Sequence, residues 1–126
     1  MRGPIAAVVL AGALLFAAAA SAQDAGTDGE FRVPLAQIIV GLADGECDAD
    51  LLAPNFVPLC EEQLWEVGQV LQTFGAITGM RLIDVEGEGD ARREIYDVDF
   101  SAGRTVKVGI GARTADGKFT SLSFDG

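Results

Sequence analysis

A chain of 126 residues carrying 19 acidic side chains, nine basic ones and no histidine has a net charge of −10. That balance repels nucleic acid and anionic lipid surfaces and excludes both as partners. Without histidine a Ser-His-Asp triad cannot be assembled, and no Gly-x-Ser-x-Gly elbow presents a serine nucleophile.

Arg2 is followed by an uncharged apolar run from Ile5 to Ala20, which closes on Ala20-Ser21-Ala22 before the chain turns polar at Gln23. This is the order of an export signal: positive start, apolar middle, small residues at a cleavage site. The run is shorter than the roughly 20 residues that span a bilayer, so cleavage after Ala22 is expected and no stable membrane anchor remains. No cysteine follows to accept a lipid. Residues 1–22 are therefore read as a signal peptide, 23–30 as a flexible tail and 31–126 as one domain in the periplasm or the medium. With Arg2 gone, eight basic residues face 19 acidic ones, a net charge of −11.

The first predicted helix begins around Pro34, which suits a first helical turn. Leu35, Ile38, Ile39 and Leu42 recur at helical spacing, and the helix ends near Gly41–Gly45. Asp48 to Phe56 reads as a short helical turn broken by Pro54 and Pro58. Cys47 and Cys60 are two cysteines in an oxidising compartment, at a spacing suited to a disulfide. Closing that loop stabilises a small domain by about 3 kcal/mol. A second helix is predicted from Glu61 to about Phe74, with Leu64, Val67, Leu71 and Phe74 as one apolar stripe. Cys60 takes its N-cap place and Gly75 its left-handed stop. Trp65 lies beside the stripe, as edge packing or as an exposed anchor.

From Ala76 onward the period changes from 3.6 to 2. Strands are predicted at Met80–Glu88, Glu94–Phe100, Arg104–Arg113 and Lys118–Phe124. Ser101-Ala102-Gly103 and Ala115-Asp116-Gly117 suit three-residue hairpin loops with glycine in the left-handed position. These turns pair Tyr96 with Val108, Val98 with Val106, Val108 with Phe124 and Ile110 with Leu122. One sheet face is then apolar, and the other carries Asp97 across from Lys107. The fold class is α+β, with N-terminal helices packed on one face of a curved antiparallel sheet of about four strands.

The helix entered through Pro58-Leu59-Cys60-Glu61-Glu62-Gln63-Leu64 and left at Phe74-Gly75-Ala76-Ile77 is followed by strands closing on Asp116-Gly117-Lys118-Phe119-Thr120-Ser121-Leu122. This pattern resembles small exported bacterial domains of uncharacterised function in the nuclear-transport-factor-2-like (cystatin-like) superfamily. The likeness covers about residues 33–125, and the cysteine pair departs from it. The resemblance implies a concave sheet face that, with the helices, encloses a pocket for a small apolar ligand or supports a homodimer. At this chain length, Phe74, Tyr96, Phe100 and Phe124 are expected to fill that concavity.

Acid–base chemistry in such a fold has one candidate pair here, Asp84 with Tyr96, the only tyrosine. Glu86, Glu88 and Asp90 gather carboxylates in a glycine-rich turn, the candidate divalent-metal ligands. Asp44 to Asp50 alternates carboxylates but lacks the glycine and glutamate of an EF-hand loop. No cofactor is expected. The leading expectation is an exported, non-enzymatic domain that binds a ligand or a protein partner. The alternatives are a small isomerase or dehydratase and an accessory or inhibitor of an envelope hydrolase.

Overall fold

The computed structural model describes residues 29–125. The expected signal peptide, its cleavage after Ala22, and the tail as far as residue 28 lie outside the described residues. The chain divides into Met1–Glu30 and Phe31–Gly126, and every helix and strand among the described residues lies in the second unit.

Helix α1 spans Arg32–Ala43, and Leu35, Ile38, Ile39 and Leu42 are its buried residues. Their i, i+3, i+4, i+7 spacing makes a single stripe, with Val33 and Val40 left exposed on the opposite side. The helix ends in a Schellman arrangement. Gly45 donates to the Leu42 carbonyl and Glu46 to the Gly41 carbonyl, which satisfies carbonyls the helix itself leaves unpaired. Just ahead of α1, buried Phe31 meets Phe119 edge-on, with ring centroids 4.9 Å apart.

The second helix starts earlier than its sequence pattern predicts. Helix α2 runs Val57–Phe74 with Pro58 in its first turn. There the missing N–H needs no partner and the fixed φ is already helical, so Pro58 starts the helix rather than breaking the chain. Cys60 therefore lies inside the helix, its amide donating to the Phe56 carbonyl at 3.0 Å, and does not cap it. The disulfide to Cys47 is present, with Cα atoms 6.2 Å apart, and ties the exit of α1 to the first turn of α2. Between the helices, Asp48–Phe56 forms turns rather than helix. Buried Leu52 lies parallel to Phe119 in an isolated bridge, with Ala53 donating to the Phe119 carbonyl and Phe119 to that of Leu51.

Two contacts set the helix pair. A Cβ at Gly68 would stand 2.8 Å from the Leu42 carbonyl oxygen, so only glycine permits the close crossing. Gln72 Nε2 donates to the Ala43 carbonyl at 2.9 Å and caps the end of α1. At Gly75, α2 stops with φ 85° and ψ −158°. This is extended backbone with positive φ, a region essentially confined to glycine, rather than the left-handed helical stop. A side chain there would also collide with Ser101 Oγ, which accepts the Ala76 amide.

The sheet is a four-stranded antiparallel meander in the order β1-β2-β3-β4, comprising Ile77–Glu86, Arg93–Phe100, Thr105–Arg113 and Phe119–Asp125. Tyr96 pairs with Val108, Val98 with Val106, Val108 with Phe124 and Ile110 with Leu122, the register the two hairpin loops predict. The loop glycines Gly103 and Gly117 both have positive φ. Lys107 does stand opposite Asp97, but the ion-pair partner of Asp97 is Arg81 of β1, which also pairs with Asp99.

Irregularities in two places are not visible in the residue pattern. β1 begins at Ile77 rather than Met80, and its register against β2 shifts between Ile77 and Gly79 and again between Leu82 and Asp84. In the last hairpin Ala112 has φ 56°, the one positive-φ non-glycine residue described. Beyond it Phe119 is buried and Arg113 stands 4.8 Å above the Phe31 ring, so both reach the core side.

Candidate functional site

Helix α2 is amphipathic, yet only Gly68 and Leu71 along it are buried. The consequence is an apolar cleft between α2 and the β3–β4 hairpin. One lobe, of about 190 Å³, is lined by Leu42, Phe56, Leu59, Cys60, Gln63, Val67, Leu122 and Phe124. A second, of about 240 Å³, is lined by Val67, Val70, Leu71, Phe74, Arg104, Val106 and Phe124. Val67 and Phe124 belong to both lobes, so the two adjoin along the helix. Apolar walls with few polar groups are the usual make-up of a small-molecule site.

The four aromatic residues expected to fill the concave face divide accordingly. Tyr96 and Phe100 are buried and close its centre, whereas Phe74 and Phe124 are half-buried and form cleft walls. The polar groups on the lining are Gln63 in the first lobe and Arg104 in the second. The Arg104 guanidinium lies over the Phe74 ring, 5.2 Å from its centroid. Trp65 is not part of this lining and is 77% exposed, so it does not pack at the helix edge.

The structure does not bring Asp84 and Tyr96 together. The register shift at Leu82/Asp84 places Asp84 across from Ile95, on the outer face of the sheet, where its carboxylate accepts the Val85 amide. A bulge of this kind re-aims every side chain beyond it. Tyr96 instead donates to Glu94 Oε1 at 2.5 Å. Burial, and then the hydrogen bond to and the charge of Glu94, push the phenol well above its ordinary value of 10. A hydroxyl so held stays protonated near neutral pH.

Glu94 is a functional-type residue that no sequence motif singles out. It is fully buried on the core side of β2. Oε1 also accepts the Phe31 amide at 2.9 Å, and Oε2 accepts Arg92 Nε at 2.8 Å. A buried carboxylate requires such partners. The network fastens the start of α1 to the sheet through Phe31. One signal for it is present in the sequence: Glu94 shares the parity of Tyr96, Val98 and Phe100.

The candidate metal ligands are also dispersed. Glu86 ends β1 and accepts from Arg93 Nη1 at 3.3 Å, and a 3₁₀ turn at Gly89–Ala91 carries Asp90. Near the disulfide, a polar hollow of about 540 Å³ runs past Glu46, Asp48, Asp50 and Glu61. There Asp48 Oδ1 accepts the Asp50 amide, which closes a turn. Among the described residues, no three acidic or cysteine side chains converge in a metal-binding group. No helix among them is long and apolar enough to cross a membrane.

No family model, no curated protein and no solved structure matches this chain.

Proposed function

We propose that this is an exported, non-enzymatic binding domain of nuclear-transport-factor-2-like type, and that it takes its ligand in the cleft between α2 and the β3–β4 hairpin. The observation that carries the proposal is the cleft itself, with two adjoining apolar lobes that the fold leaves unfilled. Exposed apolar surface of this extent, rimmed by polar side chains, is the physical mark of a binding groove. The order of two helices and a four-stranded meander supports the superfamily reading. The Cys47–Cys60 disulfide supports export to an oxidising compartment. The fate of Tyr96, buried and held by Glu94, favours binding over isomerase or dehydratase chemistry.

The test uses an environment-sensitive apolar dye with the purified protein. Saturable binding, lost when Val70→Trp fills the second lobe, is the expected result. Undiminished binding in that variant, or none in the parent, refutes the cleft as the site. Mass spectrometry of the exported protein should find Gln23 as its first residue, and a retained N-terminus removes the export reading.

A further inference from the structure

The cleft has a direction, and its charged end is specific. Its lining follows α2 from Leu59 to Phe74, a span of about 22 Å at 1.5 Å per residue. Such a shape suits an extended chain better than a compact ring system. At one end stands Arg104, at the foot of the β2–β3 hairpin, where Phe100 donates to its carbonyl.

Arg104 differs from Arg81, Arg92 and Arg93. Arg81 pairs with Asp97 and Asp99, Arg92 with Glu94, and Arg93 with Glu86. Among the described residues no carboxylate forms an ion pair with Arg104, in a chain where acidic residues outnumber basic ones 19 to nine. Its guanidinium rests on the Phe74 face, a cation–π contact that holds it at the mouth of the second lobe and leaves its N–H edge available. A planar fork of this kind binds a carboxylate through two parallel hydrogen bonds.

We propose that the cleft binds a linear aliphatic chain ending in an anionic group, a medium- or long-chain carboxylate, with its head on Arg104 and its tail between α2 and Phe124. The proposal rests on the binding reading above and deepens it. Charge complementarity selects the occupant. A neutral hydrocarbon leaves Arg104 without a partner, and a cationic amphiphile is repelled by it.

The experiment is calorimetric titration of the purified protein with decanoate, 1-decanol and decyltrimethylammonium, each below its micellar concentration. The expected order is decanoate about tenfold tighter than decanol, with the cation weakest. Arg104→Gln is expected to abolish the roughly tenfold preference for decanoate over decanol. Arg104 is exposed, so this variant keeps its fold, which its melting curve verifies. Equal affinities for decanoate and decanol in the parent, or an Arg104→Gln variant that still prefers decanoate, overturn the anionic-head proposal while the cleft remains a binding site. No binding of any probe by the parent protein overturns both.

Discussion

Helix α1 places Leu35, Ile38, Ile39 and Leu42 in the core within 12 residues, whereas α2 buries only Gly68 and Leu71 within 18. The longer helix is thus the less committed one. It is held to α1 at three points: the disulfide to Cys47, the close approach of Gly68 to Leu42, and the cap from Gln72 to Ala43. Its apolar stripe packs on the core through Leu64, Val67, Leu71 and Phe74, yet of these only Leu71 is fully buried. Clefts open on both flanks, one against β3–β4 and one of about 210 Å³ beside Ile39, Leu71 and Phe100. The difference teaches that core burial and apolar exposure are divided between the helices. α1 completes the core, and α2 keeps apolar surface accessible, the surface on which the proposed binding reading rests.

The largest effect that tests this division is the loss of a core side chain. Ile38→Ala removes a side chain that is 1% exposed and is expected to destabilise the protein by about 4 kcal/mol. Leu64→Ala, on the half-buried stripe of α2, is expected to cost about 1–2 kcal/mol, because less of its surface leaves water on folding. Urea denaturation of both variants measures the contrast. Equal losses would mean that α2 contributes to the core as fully as α1, and the division would fail.

The disulfide comes next. Replacing Cys47 and Cys60 together by serine frees a loop closed over a separation of 13 residues and is expected to cost about 3 kcal/mol. Its location sharpens the comparison more than its size does. Hydrogen exchange should quicken in the first turns of α2 and in residues 46–56, with α1 amides little changed. Uniform acceleration through both helices would show that the bond acts only on the unfolded chain, and not as a local tether of α2.

Legibility in the sequence divides along the same line. The β2–β3–β4 pairing could be read residue by residue, because two glycine-ended loops and the parity of Tyr96, Val98, Val106, Val108 and Ile110 impose the same register. The α1 stripe was equally plain. What escaped depends on backbone events that no side chain announces. These are the register shift at Leu82/Asp84, which removes Asp84 from the core face, and the positive φ of Ala112, which turns Arg113 and Phe119 inward. Pro58 was ambiguous between breaking a segment and opening a helix, and only packing decides between them. The cleft was the least legible feature, since it depends on how far α2 stands from β4. Glu94 was legible by parity, but a carboxylate on a core-facing position reads as an error until its partners Phe31, Tyr96 and Arg92 are in place.

The sheet face turned away from both helices supplies the lower limit of the comparison, and with it the smallest expected effect. There Asp99 accepts from Arg81 and from Thr105 Oγ1, and these hydrogen bonds, Arg81 first, hold its carboxyl below the ordinary 3.8. A depressed carboxyl stabilises the fold above its unfolded value, and that contribution is lost as pH falls through the depressed one. The window therefore opens near pH 4 and extends downward, leaving neutral pH untouched. Both partners are open to solvent, so screening keeps the effect small. Carbon-detected NMR titration should find Asp99 titrating below the ordinary 3.8, and Arg81→Gln should raise it toward that value while shifting the neutral-pH melting temperature little. If Arg81→Gln lowered stability at pH 7 as much as Leu64→Ala does, the outer face would rank with α2, and the core-to-surface ordering of α1, α2 and the open sheet face would have to be redrawn.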